Sequence, residues 1–149
     1  MRHFVAIYFA LMFYIIGTLT IENDVNYNTW RYINHVDFKG FHKHLEILLS
    51  RYMFIPIGVV LIVNVALIFA KSLRTNRWLL IVSAVLLSFI VFFSLVVQVP
   101  IHKELEMNFN EKHLKQLIDN HNSLRFPATF VLALLNVLLL ARLLRTTKV

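Results

Sequence analysis

The sequence predicts an all-α fold, an integral membrane four-helix bundle with both termini on one face of the bilayer. Three observations carry that expectation. Of 149 residues, 58% are hydrophobic and only 15% are charged, a balance that soluble domains of this size rarely show. The apolar residues gather into four runs, at about 4–21, 52–70, 78–99 and 126–144. Each is long enough, at about 1.5 Å per residue, to cross a hydrocarbon core of about 30 Å. The charges are also unevenly shared. Arg2, the Lys71/Arg74/Arg77 connector and the Arg142/Arg145/Lys148 tail carry seven basic residues and no acid, whereas the two longer connections, 22–51 and 101–125, hold all eight acidic residues and the other eight basic ones.

The positive-inside rule converts that asymmetry into an N-in/C-in orientation. Residues 1–149 then form a single four-span membrane domain, with short amphipathic helices in the two outer connections. The first run starts beside Arg2 and lacks a clear small-residue cleavage site, so it reads as a retained signal-anchor helix. The net charge of +7 falls on the cytoplasmic side against anionic lipid. No basic soluble face is left for nucleic acid, and the lipid bilayer is the expected partner. The absence of cysteine excludes disulfides, thiolate metal sites and thiol catalysis.

Between the first two spans, INHVDFKGFHKHLEILLSRY has helical periodicity, with Phe38, Phe41, Leu45, Leu48, Leu49 and Tyr52 on one apolar stripe. His42 and Glu46 are four apart and share one edge of that stripe. His35 falls within roughly 40° of both if the helix runs through Gly40, and His44 lies on the opposite flank. In the second outer connection His102 and Glu106 repeat the four-residue spacing just beyond the third span, where Pro100 removes a backbone donor and is expected to kink the helix. NEKHLKQLIDNH follows as a short helix with Asn110 as N-cap. Leu114, Leu117 and Ile118 form its apolar face, His121 projects from the middle of that face, and His113 stands at its border. Arg125 enters the fourth span, either snorkelling to headgroups or holding a carboxylate or anionic ligand. Asn64 and Asn136, inside the second and fourth spans, are expected to hydrogen-bond between helices. Trp30 and Trp78 fit interfacial anchoring.

Six of the seven histidines lie in the outer connections. Imidazole is both a metal ligand and a proton carrier, so two chemistries follow. In one, His42, Glu46, His102 and His121, with His35 or Glu106, hold a transition metal, iron or copper before zinc, since two or three imidazoles plus carboxylate suit all three. In the other, no metal is involved: His102 or His121 takes a proton from an acidic substrate carbon and Arg125 stabilises the anion. His121 and Arg125 are the catalytic candidates in that case.

The arrangement resembles the anthrone-oxygenase-like family of small four-helix membrane proteins, most of whose members lack an assigned function. The family's N-x-P-x-N-x-x-L signature at the end of the third span corresponds to Gln98-Val-Pro100-Ile-His102-Lys-Glu104-Leu105, and its N-x-x-R before the last span to Asn122-Ser-Leu-Arg125. Gln98 and His102 replace the family's asparagines, and the usual tryptophan near the second motif is absent. The resemblance implies oxygenation of a polycyclic phenolic compound, a substrate that does not carry over to so divergent a sequence. The expected function is therefore a membrane-embedded oxidoreductase or oxygenase acting on a lipophilic small molecule at the outer rim of the bundle. The alternative is a non-catalytic membrane subunit or ligand-binding protein docking a partner or a second copy. A transporter ranks third, because the spans hold no acidic residue. Compactness and the lack of eukaryotic sorting signals point to a bacterial inner membrane, with the histidines on the periplasmic side.

Overall fold

In the computed structural model, which describes residues 2–146, the chain is a closed ring of four long helices: α1 (His3–Trp30), α2 (His35–Ile68), α3 (Lys71–Met107) and α4 (Glu111–Arg145). All four are long and apolar enough to cross a membrane. Short connections make successive helices antiparallel, and each of the four neighbouring pairs, including α1 with α4, packs along its length. Large apolar side chains such as Ile62, Val85, Phe92 and Phe130 point away from the bundle and are exposed. That outward belt fits hydrocarbon as solvent. Lys148 of the basic tail and the side chain of Arg2 lie outside the described residues.

The amphipathic segments expected as separate helices in the 22–51 and 101–125 connections are instead extensions of the spans. Only 31–34 and 108–110 interrupt the helical path at that end. Asn34 caps α2 by accepting from the Val36 N–H, and Asn110 caps α4 by accepting from the Lys112 N–H.

The prolines explain how the helices continue. π-turns at Ser50–Phe54, Ser94–Gln98 and His121–Arg125 each end two residues before a proline, Pro56, Pro100 and Pro127 respectively. Proline lacks an N–H and its ring crowds the carbonyl four residues back, and a widened turn with i→i+5 bonds absorbs both effects without breaking the helix. Pro100 therefore sits inside a helix that continues to Met107. A fourth π-turn, Glu22–Tyr27 in α1, has no proline behind it. All four lie toward the histidine-bearing end of the bundle.

The interior falls into two apolar clusters. The larger, along the spans, joins Tyr8, Met12, Ile57, Leu80, Leu87 and Leu132 with their neighbours. Asn64 and Asn136 do bond between helices: the Tyr8 hydroxyl accepts from Asn64 Nδ2 at 3.1 Å and donates to Asn136 Oδ1 at 2.7 Å, and Asn136 Nδ2 reaches Ser83 Oγ at 3.3 Å. One polar network thus touches all four helices. The smaller cluster caps the histidine-bearing end and holds Tyr27, Trp30, Phe38, Ile101, Leu105, Leu114 and Leu117. Trp30 is wholly buried there, so it is a core residue and not the interfacial anchor the sequence suggested, whereas Trp78 is 48% exposed with Arg142 over its ring.

The apolar stripe expected on α2 is divided. Phe38 is buried and Leu45 and Leu49 are partly buried, but Phe41, Leu48 and Tyr52 face outward. His42 is 5% exposed and takes a place in the inward face. The partner surface contributed by α3 lies closer to the Phe38–His42–Leu45–Leu49 edge than to the centre of the stripe.

Candidate functional site

Where the two clusters meet, a cavity of about 330 Å³ opens between α2 and α3. Its apolar wall includes Leu45, Leu49, Met53 and Val99. His42, His102, Glu46, Glu106, Glu22 and Arg125 also line it. The π-turns help place these groups, since i→i+5 bonding shifts the helical phase by about one residue. Glu22 and Tyr27 come from the turn in α1, Gln98 from that in α3 and Arg125 from that in α4.

A continuous polar chain runs beside the cavity. Arg125 NH2 donates to Glu22 Oε2 at 2.9 Å, in an ion pair of which both partners are buried. Arg125 NH1 donates to Gln98 Oε1. The Tyr27 hydroxyl lies 3.2 Å from Gln98 Oε1 and 3.0 Å from His102 Nε2. His102 Nδ1 lies 2.9 Å from His42 Nε2. Finally, His42 Nδ1 faces Glu106 Oε2 at 3.8 Å.

Proton counting limits this chain to two directions. A neutral imidazole has one donor and one acceptor nitrogen, and a phenol has a single proton. If Tyr27 donates to Gln98, then His102 Nε2–H donates to Tyr27, His42 Nε2–H donates to His102, and His42 Nδ1 presents a lone pair to Glu106. If Tyr27 donates to His102 instead, its bond to Gln98 Oε1 is given up, the two bonds through the imidazoles reverse, and His42 Nδ1 presents a proton to Glu106. The His42–Glu106 contact is thus the open end of the chain, while at the other end the Glu22 carboxylate is engaged by Arg125.

The histidines lie beyond the apolar segments, and their surroundings favour the neutral form. Burial, then the proximity of His42 and of the Arg125 guanidinium, pushes His102 down to about 3. Burial and then Arg125 push His121 down to about 4, against a small opposing pull from Asp24. Burial also lowers His42, partly offset by Glu106 and Glu46. A proton therefore binds these imidazoles more readily in the unfolded chain. The folded state keeps its full advantage above about pH 6.5 and loses it progressively as the pH falls toward 3. For His102 alone the loss at pH 5 comes to about 2 kcal/mol, at about 1.36 kcal/mol per pH unit. The melting temperature of the purified protein is expected to fall between pH 7 and pH 5, and His102→Phe to flatten that slope.

Of the residues the sequence singled out, His42, Glu46, His102, Glu106 and Arg125 come together around one cavity. His35 does not: it is exposed at the start of α2 and stacks on Phe109 with ring centroids 4.4 Å apart. His121 is buried against Phe126 and is not among the residues lining the cavity. His113 pairs with Glu104 at 3.4 Å. Of the six residues expected to hold a metal, four thus line the cavity and His35 and His121 do not, and the two central imidazoles are hydrogen-bonded to each other. Among the described residues, no group of three or more histidine, cysteine, aspartate or glutamate side chains is placed to hold a metal ion.

Four residues of the site were not among the candidates drawn from the sequence. Glu22 stands one residue past the first apolar run, Gln98 is a lone amide near the end of the third, and Tyr27 and Trp30 are three apart in a polar connection. Arg125 does not snorkel; it is 1% exposed and satisfied by Glu22 and Gln98. No protein-family model matches the chain, and no curated protein or solved structure is significantly similar to it.

Proposed function

We propose that the protein binds a lipophilic, weakly acidic small molecule in the cavity between α2 and α3 and moves a proton between that molecule and the His42–Glu106 pair. The observation that carries this reading is the hydrogen-bonded chain that ends at His42, whose Nδ1 faces Glu106 at 3.8 Å on the cavity wall, with a buried guanidinium lining the same cavity. A proton leaving an O–H, or a C–H next to a carbonyl, has Glu106 or His42 Nδ1 as its acceptor. The electron pair left on the ligand stays in the cavity that the Arg125 guanidinium lines, where the part of its charge not offset by Glu22 favours the anion. His102 and Tyr27 act as positioning residues, because both nitrogens of His102 are already engaged. The role expected of His102 or His121 as base therefore passes to His42 and Glu106. Oxygenation is not part of this proposal, which rests on the acid–base groups alone.

The charge asymmetry supports both termini in the cytoplasm and the site on the opposite face of the membrane, the periplasmic one if that membrane is a bacterial inner membrane. A long-chain alkyl nitrophenol, whose absorbance reports its ionisation, tests the function. It is expected to bind the purified protein with its phenol ionised at a pH at least one unit below that seen in detergent alone. Glu106→Gln and His42→Phe should each abolish that displacement while leaving binding in place. Equal ionisation in wild type and both variants would refute proton transfer and favour a simple ligand-binding protein.

A further inference from the structure

A second, smaller hollow of about 140 Å³ lies between α1 and α2. Thr18, Ile21 and Glu22 line it from α1, and Leu49, Tyr52 and Met53 from α2. Glu22, Leu49 and Met53 line the main cavity as well, so these three side chains form a common wall. At the other edge of the hollow, Ile21 and Tyr52 are 59% and 54% exposed, at the ends of the two apolar runs. The main cavity meets the exposed side chains of Glu46 and Lys103 instead. The two hollows together therefore have one lipid-facing edge and one polar edge.

The shared wall is made of adaptable parts. Met53 is unbranched, with several rotatable bonds, and fills gaps without fixing one shape. Beside the hollow the two helices are tied together where the Tyr14 hydroxyl donates to the Tyr52 carbonyl at 2.8 Å. That carbonyl lies four residues before Pro56, which has no N–H to offer it. A fixed contact beside a methionine and leucine partition is the construction expected of a side-chain gate, which needs no helix motion.

We infer that the ligand enters sideways from the bilayer between α1 and α2, past Leu49 and Met53, and that it is a single-chain amphiphile. Its weakly acidic head lies in the main cavity near His42, Glu106 and Arg125. Its alkyl chain lies across the shared wall and through the smaller hollow to the lipid. A compact polar ligand would leave the lipid-facing hollow unused, whereas an amphiphile matches both edges. The inference rests on the acid–base reading for the head group, and on the two adjoining hollows for the route.

The test uses the full chain in lipid nanodiscs and a long-chain alkyl phenol carrying a diazirine midway along its chain. Photolabelling followed by peptide mapping is expected to mark residues 18–22 and 49–53 of the smaller hollow and residues 94–99 of the main cavity, in competition with the same phenol lacking the diazirine. Met53→Trp should reduce labelling at 94–99 at least tenfold, Leu49→Ala should increase it, and the outward-facing Ile62→Trp should leave it unchanged. Labelling at 94–99 that ignores both Met53→Trp and Leu49→Ala, or labels spread evenly over outward-facing residues, would overturn the route. Because Leu49→Ala acts in the opposite direction, a failure of Met53→Trp to fold leaves the inference falsifiable. Nitrophenol ionisation in detergent solution needs no lateral entry. Its loss with normal labelling would sink the acid–base reading alone, and the reverse would sink the route alone.

Discussion

Replacing Arg125 with leucine is expected to destabilise the protein by about 3–5 kcal/mol, the range for removing one partner of a buried ion pair. Both members are almost completely shielded, with Arg125 at 1% and Glu22 at 5% exposure. Arg125→Leu leaves the Glu22 carboxylate without its cation and takes away one donor to Gln98 Oε1. The loss comes chiefly from a stranded charge, not from a missing attraction, so the double variant Glu22→Leu/Arg125→Leu should recover most of it. Melting curves of the wild type, the two single variants and the double variant form the cycle that measures this. A double variant as unstable as Arg125→Leu would show that the cost lies in other contacts of the arginine.

Trp30→Ala is expected to cost a similar amount, about 3–5 kcal/mol for truncating a large buried aromatic ring, and to disturb the site as well. The indole meets Tyr27, Phe38, His42 and His102 edge-on, with ring centroids 5.0, 5.5, 5.3 and 5.3 Å away. It thus stands behind both imidazoles of the proton chain and holds their planes. A cavity there lets His42 and His102 turn, and a 2.9 Å hydrogen bond between two rings tolerates little rotation. Nitrophenol ionisation should therefore fall well below that of Leu87→Ala, which removes a buried side chain from the larger core. Trp30→Phe should retain more stability and more ionisation than Trp30→Ala. If Trp30→Ala melts like wild type, the end cluster contributes little to the fold; if ionisation survives alongside lost stability, Trp30 does not position the site.

Several parts of this architecture were legible because a bilayer forces them. Long uncharged runs have few structural solutions in hydrocarbon, where every backbone group needs an internal partner, so four runs give four helices. The four-residue spacing of His42 with Glu46 and of His102 with Glu106 correctly placed all four side chains about one cavity, because both segments remain helical. Asn64 and Asn136 were recognisable as interhelical partners for the same reason: an amide inside an apolar run has little else to bond.

The departures share a cause in helical phase and in neighbours distant along the chain. Periodicity at about 100° per residue assumes regular α-helix, and four π-turns reset that phase within the segments that build the site. The widened turn that precedes Pro100 is one such reset that the sequence does not display. Phe41, Leu48 and Tyr52 satisfied an amphipathic pattern, yet next to lipid an apolar residue is comfortable on either face. Hydrophobicity alone therefore could not say which edge of α2 faces α3, and His42 could not be seen to be inward.

What the sequence determined by itself is the class of solvent and the count of helices, because burial of backbone polar groups in lipid is a local requirement that each segment meets alone. What only the tertiary structure decided is which polar residues touch. Glu22 and Arg125 are 103 positions apart, Tyr27 and His102 are 75 apart, and His42 and His102 are 60 apart. Each of those contacts depends on the rotation of two packed helices, a quantity fixed by the fit of their side chains and not by the composition of either one.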